Sequence, residues 1–209
     1  MNIQPIVEGY GEVAAVPILL RRLRDECQAF GIEVNRPIRA TRSQLVREDT
    51  LKQRVKLAQL QEHCGAILII FDADDDCPRD LAPVIQNWAN EESGQVPSAV
   101  VMANREYEAW FLASIESLRG RRGIRNDAAS YLNPEVPRAA KHALEECMIE
   151  GANYSETVDQ PALTAIFEME RAYARCRSFR RLVNAFGSLL PALDHELINW
   201  PPMHWQQEA

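Results

Sequence analysis

The chain has 209 residues, 46% of them hydrophobic and 25% charged, and a net charge of −7. That length allows one α/β domain with additions or two small domains, with the composition of an ordinary globular protein. The longest apolar run is too short for a membrane span, "MNIQPIVEG" lacks the architecture of a secretory leader, and the acidic balance argues against a general nucleic-acid binder, so a cytoplasmic protein is expected.

"NIQPIV" predicts a first strand ending before Glu8. "GEVAAVPILLRRLRDECQAFG" has apolar residues at helical spacing, with a kink or a late start at Pro17. "IEVNRPIRA" predicts one second strand, confined to a sheet edge by Pro37. "SQLVREDTLKQRVKLAQLQEHCG" predicts one long helix, and "AILIIFD" a third strand that is apolar on both faces, as in a parallel sheet. Pro78 opens a helix to about Asn90, "SAVVMA" is a fourth strand, and "REYEAWFLASIESL" returns to helix. Four strand–helix repeats predict a mostly parallel, four-stranded Rossmann-like sheet with helices on both faces. Residues 1–117 would carry it, with a mainly helical extension and tail over 118–209. The five cysteines are scattered without a Cys-x-x-Cys pair, which argues against a disulfide framework or a structural zinc site.

In an open parallel sheet, ligands bind beyond the carboxyl ends of the strands. Glu8 ends strand one, Asp72 and Asp74 end strand three, and Glu106 and Glu108 follow strand four, so separated acids meet at one sheet edge. In extended chain, Asp72 and Asp74 point to the same side, about 6.5 Å apart. A hard, oxygen-seeking ion such as Mg²⁺ (or Mn²⁺) would relieve their repulsion. Glu12 and Asp76 adjoin this set as further candidate ligands, although Asp75 and Asp76 read first as the cap of the next helix. On a helix, only one of Glu106 and Glu108 could face the site. Tyr107, Trp110 and Phe111 read as core, and no histidine is assigned to catalysis.

Basic residues gather between Arg36 and Lys56, in "RGRRGIR" and in "RCRSFRR". They fit phosphate-gripping patches or solvated helix faces; Arg39, Arg42, Arg121 and Arg122 are the candidate nucleic-acid contacts. Gly9-x-Gly11-x-x-Ala14 formally matches a dinucleotide fingerprint, but Glu8 and Glu12 bracket the spot that a pyrophosphate would take.

The segments "VEGYGE", "IIFDADDD", "REYEAWFLAS" and, more weakly, "ARCRSFRRL" resemble the TOPRIM domain of topoisomerases, primases and overcoming-lysogenization-defect nucleases. The wider pattern is similar to a family of small TOPRIM-like proteins encoded beside AAA-type ATPases in bacterial anti-phage loci. The resemblance implies that Glu8 serves as acid/base or metal ligand, that Asp72 and Asp74 hold Mg²⁺, and that Glu108 supports the site. It implies a Mg²⁺-dependent nuclease, cutting DNA or RNA, under a partner ATPase in antiviral defence. The alternatives are a TOPRIM-like binding or trigger subunit with little catalysis, and, further off, an NAD(P)-binding protein. TOPRIM domains commonly carry a glycine shortly after the Asp pair, where this chain reads "DDDCP". Leu163, Ile166, Phe167, Tyr173, Trp200, Met203 and Trp205 would cover the chain's own sheet, form a homodimer or dock the ATPase.

Overall fold

In the computed structural model, which describes residues 1–206, strand β1 (Asn2–Val7) leads into helix α1 (Tyr10–Glu26). Helix α1 begins at Tyr10, so it does not start late, and it runs unbroken through Pro17. An interior proline costs a helix about 3 kcal/mol. Leu19, Leu20 and Leu23 are fully buried on the same helix, each contributing about 1.5–3 kcal/mol, and together they outweigh that loss.

The expected second strand is two: β2 (Glu33–Val34) and β3 (Ile38–Arg39), both parallel to β1. The sheet therefore has five strands, not four. Pro5 and Pro37 account for the break, because neither has an N–H to give a ladder. Strand β2 pairs with Asn2 and Ile3, β3 pairs with Ile6 and Val7, and Gln4 and Pro5 face the gap. The Gln4 side chain fills it, donating from Nε2 to the carbonyls of Pro5 and Arg36 at 3.0 Å each.

The long helix predicted next is also divided, into α2 (Arg42–Leu45) and α3 (Glu48–Gln59). Strand β4 (Cys64–Asp72), helix α4 (Pro78–Ser93) and strand β5 (Ser98–Ala103) follow where expected. Residues 104–105 form a bend and 107–108 a turn, so the helix predicted there begins only with α5 (Ala109–Ala113) and continues as α6 (Ile115–Leu118). Beyond lie α7 (Ala140–Glu146), α8 (Asp159–Thr164), α9 (Met169–Arg175) and α10 (Arg177–Leu189), with short 3-10 turns at Leu190–Leu193 and Met203–Gln206.

The strand order is β2–β1–β4–β5, with β3 also beside β1, and every pairing is parallel. Alternation sorts each strand between two cores. Ile6, Ile67, Ile69, Phe71, Val100 and Met102 face α3 and α4. Ile3, Val7, Leu68, Ile70, Val101 and Ala103 face α1, α5 and the C-terminal helices. On that second face Tyr107, Trp110, Phe111, Phe167 and Phe179 form a chain of ring contacts with centroids 4.5–5.7 Å apart. Leu163, Phe167, Tyr173 and Trp205 are buried in the same core, so most of the apolar set considered for docking is spent on the chain's own packing. Of that set Ile166 and Trp200 are partly buried, and Met203 is exposed. Among the described residues no helix is long and apolar enough to cross a membrane.

Candidate functional site

The order β2–β1–β4–β5 reverses direction between β1 and β4, which places a crevice beyond the carboxyl ends of those two strands. Glu8 leaves β1 there, and Asp72 is the last residue of β4. Asp72 keeps the parity of Leu68 and Ile70, which brings it to the face carrying α1 and α5. Its Oδ1 accepts the Tyr107 N–H at 2.9 Å, and this bond ties the β5–α5 turn to the end of β4.

Glu12 lies in the first turn of α1 and folds back, its Oε2 accepting the N–H of Glu8 at 2.9 Å and of Gly9 at 2.6 Å. A buried carboxylate therefore stands at the helix N-terminus where a dinucleotide's pyrophosphate would lie, and the Gly9-x-Gly11-x-x-Ala14 pattern here accommodates a carboxylate instead. Gly11 has a separate reason. A Cβ there would lie 2.2 Å from Gln160 Oε1 and 2.5 Å from the Glu156 carbonyl oxygen, so only glycine lets the 156–160 segment close onto α1.

Both Glu106 and Glu108 reach the site, because they precede α5 and escape the helical spacing that would separate them. Glu108 is 3% exposed; its Oε1 accepts the Tyr154 hydroxyl at 2.7 Å and Gln160 Nε2 at 3.4 Å. Glu106 Oε2 accepts the Lys141 N–H at 2.7 Å, and Lys141 Nζ pairs with Glu156 at 2.6 Å. The result is a cleft of about 220 Å³ lined by Glu8, Gly9, Glu12, Asp72, Glu106, Glu108, Lys141, Glu156 and Gln160. Lys141, Glu156 and Gln160 come from the helical extension and carry no local sequence signal; the glycine at position 11 is their only trace in the predicted motif.

Burial is the first cause of the electrostatic strain in this cleft, and neighbouring carboxylates add to it. Glu12 is pushed up to about 8 and Glu108 to about 7, in both cases chiefly by desolvation. Asp72 is held well above the usual carboxylate range by burial, then by Glu12, Glu108 and Glu8. Glu8 is raised by burial and by Asp74, while Arg42 opposes the shift.

Asp74 does not join Asp72. Strand β4 ends at Asp72, and Asp74 takes a φ of +50°, so the same-side geometry of extended chain no longer holds. Its carboxylate pairs with Arg42 Nε at 3.3 Å and does not line the cleft. Arg42 is a clamp on the Asp-rich loop, donating to the carbonyls of Asp72 and Ala73 and to the Asp76 carboxylate. It is thus committed within the chain, and Asp76 is held by it instead of capping α4, whose N-cap position is Cys77. Asp75 pairs with Arg105 at 3.0 Å and Arg138 at 2.8 Å. Arg39 stays at the rim, bonded to the Glu8 carbonyl and stacked 4.0 Å over the exposed Tyr10 ring. Arg122 pairs with Asp159 at 2.7 Å, Arg121 is exposed, and neither lines the cleft.

Among the described residues, no three His, Cys, Asp or Glu side chains stand ready to hold one metal ion together. The donor chemistry nevertheless fits a hard cation. Glu8 Oε2, Glu12 Oε1 and Gln160 Oε1 are buried oxygens without a hydrogen-bond partner, and all three residues line this cleft. An unpartnered buried acceptor costs about 1–3 kcal/mol, and oxygen-only donor sets suit Mg²⁺, Mn²⁺ or Ca²⁺ rather than zinc.

The family model described as "Domain of unknown function (DUF4276)" matches residues 7–187. No curated protein and no solved structure matches the chain.

Proposed function

The chain belongs to the DUF4276 family, and from that premise we propose that it is a divalent-cation-dependent phosphodiesterase acting on nucleic acid, with a TOPRIM-like sheet as its scaffold. The observation that carries this reading is the convergence of three orphaned buried oxygens, from Glu8, Glu12 and Gln160, on one carboxylate-lined cleft. Adjacent central strands, one followed directly by Glu8 and the other ending in Asp72, support the TOPRIM-like reading.

Asp72, Glu12 and Glu108 would hold the cation, with Gln160 Oε1 as a neutral donor. When bound, such an ion polarises a phosphoryl oxygen and lowers the pKa of water. Glu8 is half-buried and raised above its ordinary value, so it is suited to take a proton from the attacking water near neutral pH. Lys141, the cation of the lining, is placed to face a phosphate, although it must first leave Glu156. Asp74, turned onto Arg42, is not part of this set. Control by an AAA-type ATPase in antiviral defence belongs to the same proposal and rests on the sequence resemblance alone.

The test is cleavage of labelled oligonucleotides in Mg²⁺ or Mn²⁺. Glu8→Gln and Asp72→Asn should each lower the rate by at least about 10²-fold, the low end for a lost acid/base. Asp75→Asn should be mild, because its carboxylate faces arginines outside the cleft. Cleavage by Glu8→Gln at the wild-type rate would remove the assignment.

A further inference from the structure

A second depression, larger than the acid cleft, is lined by Asp75 and Asp76 of the Asp-rich loop. It is a groove of about 900 Å³ between α4 and α10, whose walls carry Arg79, Arg105, Arg177 and Arg181 and whose floor includes Pro83 and Met102. That volume is at the upper end for a ligand site (about 300–1,000 Å³).

The "RCRSFRR" segment divides its work. Arg175 is spent on the Ala113 carbonyl and the Glu116 carboxylate, and Arg180 on the carbonyls of Tyr173 and Ala174 at the end of α9. Arg177 and Arg181, one turn apart on α10, share the face toward the groove. The carboxylates in the lining are already satisfied. Asp75 is held by Arg105 and Arg138, and Asp76 by Arg42. Glu135 accepts from the N–H groups of Arg177 and Ser178 and from the Ser178 hydroxyl. Arg79, Arg177 and Arg181 are therefore left without a carboxylate partner among the described residues. Four arginines in the lining stand against three carboxylates, and with Arg42, Arg138 and the Asp74 that pairs with Arg42 the count is six against four, so the groove is locally positive on an acidic protein.

The groove and the acid cleft draw on neighbouring residues of the same two chain segments. Asp75 and Arg105 line the groove, while Asp72 and Glu106, on the same two loops, line the cleft. We propose that this groove binds the single-stranded nucleic-acid segment that flanks the phosphodiester held at the acid cleft, an assignment of substrate class that rests on the function proposed above. A single strand suits the lining better than a duplex does. Its phosphates would lie on the unpaired arginines and its exposed bases on the apolar floor and the amides of Asn87 and Asn104. A duplex would offer phosphates alone and leave that floor unused.

The experiment is fluorescence anisotropy of short labelled oligo-dT and oligo-U with the full chain in EDTA, across a salt series. Wild type should bind, with log affinity falling linearly in log salt. Arg177→Ala/Arg181→Ala should bind at least 10-fold more weakly, with the salt slope reduced by about 1.4, or about 0.7 per lost contact to a single strand. Arg79→Ala, on the opposite wall, should reduce it by about half as much and serves as the second variant if the first folds poorly. Arg47→Ala, which removes an arginine that lines neither the groove nor the cleft, should bind like wild type. No binding by wild type, unchanged affinity and slope in the arginine variants, or equal competition by poly-glutamate would overturn the proposal. The assay reads binding without cation or cleavage, so its failure leaves the acid-cleft assignment standing, and loss of that assignment leaves the expected anisotropy result unchanged.

Discussion

Glu12 sits where two demands meet: its Oε2 closes the first turn of α1, and its Oε1 has no partner. Its folded-state pKa of about 8 lies above the ordinary 4.5, so the folded protein keeps a proton that the unfolded chain has lost. Stability in EDTA should therefore fall as pH rises from about 5 to about 8, at about 1.4 kcal/mol per unit for each such group. Glu108, pushed to about 7, adds to the slope over the lower part of that window. Melting followed against pH should show this decline, a smaller decline in Glu12→Gln, and flattening by millimolar Mn²⁺ in wild type. A wild-type profile that rises over this range would contradict the arrangement of charges. At this scale Glu8 and Asp72 were legible because each follows directly from the end of an apolar strand. Asp74 was not, because a left-handed residue breaks the alternation on which its placement depended. Nor was Arg42, whose partners are carbonyls and acids about 30 residues away in sequence.

Among the elements, β1, α1, β4 and β5 follow from apolar period and breakers, and they carry the crevice. The failures have local causes. Pro5 and Pro37 meet across the β1 edge and split one expected strand into two, a coincidence visible only once the strands are paired. The bond from Tyr107 N–H to Asp72 holds the turn at residues 107–108, which delays α5 and lets Glu106 and Glu108 both face the cleft. The 156–160 segment packs onto Gly11 so tightly that a Cβ there has no room. Gly11→Ala should destabilise the protein by about 1–3 kcal/mol, the usual cost of overpacking, because the Glu156 carbonyl is backbone and cannot swing aside. It should also weaken the response of melting to Mn²⁺, since Gln160 and α8 would be displaced. Gly11→Ala with wild-type stability and Mn²⁺ response would show that this contact does not shape the cleft.

Over the whole molecule, the extension beyond residue 117 is the cover of one sheet face and supplies part of the cleft. Leu163, Phe167, Phe179, Leu182 and Phe186 join Val7, Leu68 and Val101 in one core, and Arg22 of α1 donates to the carbonyls of Thr164 and Phe167 at 2.7 and 2.8 Å. The helical character of that extension was legible; the face it covers was not, because those contacts join residues more than 140 positions apart. A chain of residues 1–117 alone should lack a cooperative thermal transition, because it would bare that apolar face. A sharp transition for it in circular dichroism would show that the sheet folds without its cover. The central claim, that the cleft between Glu8 and Asp72 is a cation site, is tested most directly by anomalous diffraction from crystals soaked in Mn²⁺. The account predicts a peak inside the cleft bounded by Glu8, Glu12, Asp72 and Glu108 in wild type, absent in Asp72→Asn; a featureless cleft in well-soaked wild-type crystals, or a peak only elsewhere, would contradict it.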